Sequence, residues 1–423
     1  MNAFFRKLKL ILTDRELLGR IGFLVGALII FRLLAAIPIP GINAAELQQF
    51  FSNNQFLGLL NIFSGGGLSN LSVVMLGVAP YITAAIIMQL ATIVSPKLKS
   101  LYQEEGEAGR KKMSQYSRLL TVPLALIQGY AYLYLFETQG ILSGLSTAQF
   151  AVDVIIVAAG SMLLMWIGEL MSEFGIGNGV SIIIFAGIVA RLPQAIAQQS
   201  FNFDPSQIPV YLGFLVAALA IIYGVVLMTE AERPVPVTYA KQVRGNKLYG
   251  GVSTYLPLRV NQAGVIPIIF ALSILLFPQL LLNFAAKSSI VWLSSIATVL
   301  LSLPGGNIAY GAFYFFLVFL FTYFYTAVTF EPTTIATNLQ KNGAFVPGVR
   351  PGVQTAEYLG RIITRITMVG GIFLGAIAVL PLIMQSLTGI SSLAIGGTAL
   401  LIVVCVLLDL VSKVDAQLSL KEY

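Results

Sequence analysis

Charge disappears from this chain over three long stretches. Leu47–Pro96, Ser288–Phe330 and Ile366–Leu408 contain no Asp, Glu, Lys or Arg. A membrane-spanning helix needs about 20 apolar residues, so each stretch has room for two crossings. Lipid offers backbone polar groups no water, so only helices or closed barrels can span it. Barrel strands would alternate polar and apolar positions over about 10 residues. These stretches are apolar on every side, which predicts helices. The pattern gives ten spans, at roughly 21–38, 72–94, 119–136, 149–170, 179–192, 209–228, 262–282, 308–328, 364–384 and 395–411. Turn chemistry marks the breaks: Pro38-Ile39-Pro40-Gly41, Gly65-Gly66-Gly67, Gly177-Asn178-Gly179, Pro304-Gly305-Gly306-Asn307 and Gly389.

Basic residues predict an orientation. They gather in the N-terminal segment, in the loops after spans 2, 6 and 8, and in the tail. Of the 25 Lys and Arg residues, only Arg191 and Lys287 fall in the opposite loops, and Arg32 lies within span 1. Lys and Arg are retained on the cytoplasmic side, so both termini are expected in the cytoplasm. An even number of spans agrees with that. Two basic loops, 229–260 and 331–363, are long enough to suggest docking surfaces. In the second, Arg350 sits within Val346-Pro347-Gly348-Val349-Arg350-Pro351-Gly352, where Pro-Gly pairs stiffen the backbone around the guanidinium.

Composition changes the picture mainly by exclusion. Residues are 57% hydrophobic and 10% charged, and mean hydropathy is +0.86; a soluble domain carries about 25% charged residues. The net charge of +7 is accounted for by topology before any nucleic-acid partner. The absence of histidine removes Ser–His proteases and His-Glu-x-x-His metalloproteases. The lone Cys405 reads as a small buried hydrophobe, with no disulfide and no metal cluster. No phosphate-binding Gly-x-x-x-x-Gly-Lys-Ser/Thr loop occurs, and ionisable residues such as Arg32, Glu169 and Asp409 fall near span ends, which is thin material for a proton relay. No enzyme and no cofactor is therefore expected. A secondary transporter for a small solute is the competing class. It would bring polar or charged groups together at mid-membrane, where this sequence predicts aliphatic ones. A scaffold without a pore also fits the composition.

Six motifs narrow the field. They are Gly77-Val78-Ala79-Pro80-Tyr81-Ile82-Thr83-Ala84 running to Gln89-Leu90; Glu105-Gly106-Glu107-Ala108-Gly109-Arg110; Gly168-Glu169 followed by Gly175-Ile176-Gly177-Asn178-Gly179-Val180-Ser181; Leu256-Pro257-Leu258-Arg259-Val260-Asn261-Gln262-Ala263-Gly264; the Arg350 stretch; and Gly396-Gly397-Thr398-Ala399. In this order and at these spans, they resemble the SecY/Sec61-alpha family of protein-conducting channels. Departures are Arg233-Pro234 and Asn246-Lys247, where many members pair arginines, and Gln262 after the asparagine.

The resemblance implies an all-α polytopic membrane protein. Ten transmembrane helices would form two pseudo-symmetric five-helix halves, 1–192 and 193–423, around an hourglass pore. A pore ring falls on Val78, Ile82, Val180, Ile184, Ile269 and Ile402. Such an aliphatic constriction dewets and holds back ions. A plug, at about 63–75, falls on Ser64, Gly65, Gly66, Gly67, Leu68, Ser69, Asn70 and Leu71; read without the resemblance, this is a plain external loop. A lateral gate opening to lipid would involve Thr83, Gln89 and Asn261. Motor or ribosome docking falls on Arg233, Lys241, Arg244, Lys247 and Arg350. Implied partners are the small clamp subunit SecE, the small subunit SecG, the ATPase motor SecA, the ribosome, and secretory chains with signal sequences. A bacterial plasma membrane is expected, with a thylakoid membrane as the alternative. Val318, in span 8, is expected to face lipid.

Overall fold

The computed structural model describes residues 13–40, 64, 66–103, 105–138, 140–142, 146–190, 193, 208–239, 242–244, 247–249, 253–262, 264, 266–272, 274–275, 306–388 and 391–421. Gly65, Lys241 and span 7 beyond residue 275 lie outside the described residues.

Helix α1 (Arg15–Ala36) begins at Asp14, whose carboxylate accepts from the Glu16 and Leu17 amides. A cap of this kind contributes about 1 kcal/mol. Leu17, Ala27, Phe31 and Ala35 face inward, while Ile29, Ile30 and Leu33 are exposed, as a lipid-facing side requires. Helix α2 (Ala79–Val94) is shorter than predicted. Residues 73–78 are turns, Gly77 has φ +57°, and Pro80 sits in the first helical turn. Proline favours that position because its missing N–H is not needed there. The chain then bends sharply into α3 (Pro96–Gln103).

The long helices α4 (Gly106–Thr138) and α5 (Thr147–Phe174) follow. Ser146 and Gln149 close a reciprocal capping box at the start of α5. Helix α6 (Gly179–Val189) has only 11 residues, so span 5 ends earlier as a helix than predicted. The remaining helices are α7 (Ile208–Glu230), α8 (Gly306–Thr329), α9 (Pro332–Lys341), α10 (Val353–Thr388) and α11 (Ser391–Lys421). Residues 266–272 are also helical, within predicted span 7. Helices α8 and α10 approach closely: a Cβ on Gly375 would meet the Phe315 ring at 2.8 Å. Small residues permit this tight packing between membrane helices. Among the described residues, five helical stretches are long and apolar enough to cross a membrane: α1, α4, α5, Tyr310–Lys341 and Val353–Leu380.

The two segments read as long loops are folded, which corrects that expectation. The first carries strands β1 (Glu232–Tyr239), β2 (Gln242–Arg244), β3 (Lys247–Tyr249) and β4 (Ser253–Arg259). The second carries α9, β5 (Ala344–Phe345) and the first turns of α10. Strands β4, β1 and β5 form one antiparallel sheet with β1 central, and β2 pairs with β3. Pro234 and Pro236 hid β1 from the sequence pattern, because proline cannot donate to a ladder on both sides. The sheet tolerates them because β5 pairs only with Thr238 and Tyr239. Val235, Leu258, Val346, Leu359 and Ile363 share a small apolar core that joins both segments.

Candidate functional site

Helices α2, α6 and α11 and the segment 266–272 converge on one aliphatic cluster. Val78, Ile82, Ile184, Ile269 and Ile402 are all buried within it, and Val180 packs against it. All six residues predicted for the ring therefore meet. Val318 belongs to the same cluster and is fully buried, so its predicted lipid-facing position is wrong. Helix α8 is apolar all round, and its hydropathy alone could not say which side faces its neighbours.

A cavity of about 560 Å³ opens beside this cluster. Ile82, Val180, Ile184, Ile266, Ile269 and Phe270 are in its apolar lining, and Tyr81, Gln89, Arg118, Glu169, Asn178 and Ser181 are in its polar lining. The Arg118 Nε–H donates to Glu169 Oε1 at 2.7 Å, joining α4 to α5. With Arg118 nearly half exposed, this pair contributes about 1 kcal/mol or less. A second cavity, of about 350 Å³, shares Asn178 and Ser181 and extends to Arg259, Asn261, Asp409 and Lys413. Among the described residues, no group of three or more acidic, Cys or His side chains is placed to hold a metal.

The segment predicted as plug is a compact turn rather than an open loop. Ser64 Oγ accepts from the Leu68 amide, residues Leu68–Asn70 make one 3-10 turn, and the Ser72 amide donates to Gly67 O. Leu71 has φ +39°, a left-handed conformation that costs a non-glycine residue about 1–2 kcal/mol. Its fully buried side chain holds it there. Leu68 and Leu71 pack with Ile39, Tyr132, Leu133, Phe136 and Val157 between α4 and α5. The chain runs directly from this packet into the aliphatic cluster: Leu71, Met75 and Leu76 belong to the first, Val74 and Val78 to the second. Helix α5 grips the crossing point. Ser161 Oγ donates to Gly77 O at 2.8 Å, and a Cβ on Gly160 would lie 2.1 Å from Val73 O.

The predicted gate residues are not joined by hydrogen bonds among the described residues. Thr83 Oγ1 donates within its own helix to Ala79 O. Gln89 Oε1 and Asn261 Oδ1 are buried without a partner among the described residues, and they line different cavities. Arg233, on β1, and Arg350 are exposed. Gly348 and Gly352, at φ +82° and +94°, bracket the Arg350 tip, and Thr355 of α10 donates its hydroxyl to Arg350 O. Arg244 and Lys247 face each other in the β2–β3 register.

Asp153 escaped the sequence reading. It lies in α5, is 4% exposed, and leaves Oδ2 without a partner among the described residues. A carboxylate among the apolar residues of a span was the available signal, because an ionisable group is costly to keep there.

The fold and site together define a multi-pass helical membrane protein with a buried apolar cluster beside a partly polar cavity. Comparison supplies the family. A family profile described as SecY matches residues 72–411. The protein translocase subunit SecY of Mycobacterium bovis is 42% identical over 444 residues, covering 100% of this chain and 99% of the relative. That of Escherichia coli K12 is 42% identical over 417 residues, covering 96% and 93%. A solved structure described as a protein conducting channel covers 93% of this chain and 90% of its own, with TM-score 0.62 and 17% identity. Sec61 in the canine ribosome-channel complex from the endoplasmic reticulum gives TM-score 0.59 at 16% identity, covering 93% and 90%. The chain belongs to the SecY family.

Proposed function

We infer that this chain is the channel-forming subunit of a bacterial protein translocase, and not an enzyme. It passes unfolded secretory chains across the membrane and releases apolar segments sideways into lipid. The observation that carries this reading is that all six predicted ring residues belong to one apolar cluster, four of them lining the adjoining cavity. An apolar constriction dewets and blocks ions, while its flexible aliphatic side chains can close around a moving polypeptide. The aliphatic wall disfavours a small-solute transporter, which needs converging polar ligands at mid-membrane.

The turn at 64–71 serves as the plug, packed on α4 and α5 in the closed channel. Thr83, Gln89 and Asn261 belong to the lateral gate. Sorting there follows transfer energies: a central Leu gains about 0.5 kcal/mol, whereas a central charge costs about 3. In this reading ten spans form two halves, 1–192 and 193–423, the basic loops set both termini in the cytoplasm, and the membrane is the bacterial plasma membrane. The sheet carrying Arg233 and the tip carrying Arg350 then form one docking surface for a ribosome or the motor SecA. Two relatives of this fold are described in complexes with ribosomes, which supports the ribosome as a partner. SecE as clamp and SecG as the second small subunit complete the assembly.

Photoreactive residues at Ile184 and Ile402, with Val369 as the exposed control, test the reading in a channel loaded with a stalled secretory chain. Crosslinks are expected from the first two positions only. A loaded channel with no crosslink at either would remove the ring assignment and favour the scaffold or transporter class.

A further inference from the structure

Helix α6 presents a problem of orientation. Its sequence, Gly179-Val180-Ser181-Ile182-Ile183-Ile184-Phe185-Ala186-Gly187-Ile188-Val189, is apolar nearly all round. Three consecutive isoleucines offer similar side chains in three directions about 100° apart, at 3.6 residues per turn. Hydropathy therefore does not decide whether Ile184 or Ile183 faces the cavity; the close approach of Gly179 to Gly168 of α5 sets only the start of the helix. Yet Val180 and Ile184 line it, and Ile183 does not.

Polar contacts at the two ends of α6 supply the missing constraint. At the start, the Gly179 amide donates to Ser172 Oγ of α5, and Asn178 Oδ1 accepts from the Ser181 amide. At the far end, Arg32 reaches across from α1. Its Nη2 donates to Ala186 O at 2.7 Å and to Gly187 O at 3.4 Å. The 11 residues of α6 extend only about 16 Å at 1.5 Å per residue, roughly half the hydrocarbon thickness of about 30 Å. Its last carbonyls therefore fall at membrane depth. There a cation at the helix C-terminus is favoured, and Arg32 adds a second donor to Ala186 O, which already accepts from the Ala190 amide. That also explains why an arginine is tolerated within span 1.

We propose that Arg32 is a positioning residue for the constriction: it fixes the rotation of α6 and thereby selects Val180 and Ile184 as the side chains facing the passage. The proposal rests on the ring reading for its functional meaning, but its geometric content can be tested separately.

The test uses the purified channel complex in proteoliposomes, with Cys405 replaced by alanine and single cysteines in Val180→Cys or Ile183→Cys. A small water-soluble maleimide reads their relative labelling rates. With Arg32 present, position 180 should label faster than 183. In Arg32→Leu the ratio should fall towards one, and the resting ion leak should rise. Arg32→Lys, which keeps one donor for Ala186 O, should restore most of both. A purely stabilising role predicts a lower melting temperature with the labelling ratio unchanged, and that result overturns the proposal. Should Arg32→Leu fail to assemble, Arg32→Gln carries the same comparison, and an unchanged ratio there overturns it equally. A changed ratio without a changed leak would keep the clamp while removing the ring reading on which its function rests.

Discussion

The aliphatic cluster around Ile184 draws its members from α1 near one terminus and α11 near the other. The packet around Leu71 is built from Ile39, residues 68–76, α4, α5 and the link between them at Ile141 and Leu142. Their internal order also differs. Apart from Val74 and Val78, the buried members of the cluster are helical side chains, whereas the packet depends on backbone turns: the Pro38–Ser72 bridge, the Leu71 amide on Leu68 O, and the Ile39 amide on Leu71 O. A seal of interlocked helices can yield only by moving whole helices. A seal made by one short turn can lift away while the helices stay. That contrast fits the roles proposed for the two regions, a constriction at the cluster and a plug at the packet.

The contrast can be broken most sharply at Gly160. Alanine there would bring a Cβ to 2.1 Å from Val73 O, and a backbone carbonyl cannot swing aside as a side-chain tip can. Overpacking at this upper end costs about 3 kcal/mol. Gly160→Ala should lower the melting temperature and open an ion leak, checked by thermal unfolding and by flux into proteoliposomes. Leu71→Ala should have a smaller effect. It removes a fully buried side chain, at a cost of about 2 kcal/mol because a short turn can partly collapse onto the space. The leak should again rise, with secretory transport retained. Ile402→Val sharpens the comparison from the other side. It should cost about 1 kcal/mol in thermal unfolding and leave the leak at its starting level, since the rest of the aliphatic cluster still closes the passage. A large leak from Ile402→Val with none from Leu71→Ala would reverse the roles assigned to the two regions.

Several features were readable because their physics is local. Asp14, Ser146 and Asn178 cap helices at positions the chain marks with cap-forming residues. The Pro-Gly pairs around Arg350 do produce a tip with two left-handed glycines. Others were not readable. Span 2 lost residues 72–78 to turns, because hydropathy does not distinguish an apolar turn buried between helices from an apolar helix. Val318 was assigned to lipid because a helix with no polar face gives no indication of its rotation. Strand β1 was hidden by two prolines whose positions are acceptable only because β5 covers just one end of it.

The amino-acid sequence alone determined the solvent in which this protein lives and the family to which its motifs belong. Charge-free length and the placement of basic residues are properties of single segments, needing no contact to be expressed. Which apolar side chains meet was decided by tertiary structure. In lipid the hydrophobic effect cannot rank one face of an apolar helix over another, so close packing, glycine contacts and a few polar clamps must choose. The same holds for the two paired segments: β1 and β4 pair within the first, but β5 joins a sheet only when the second segment reaches the first.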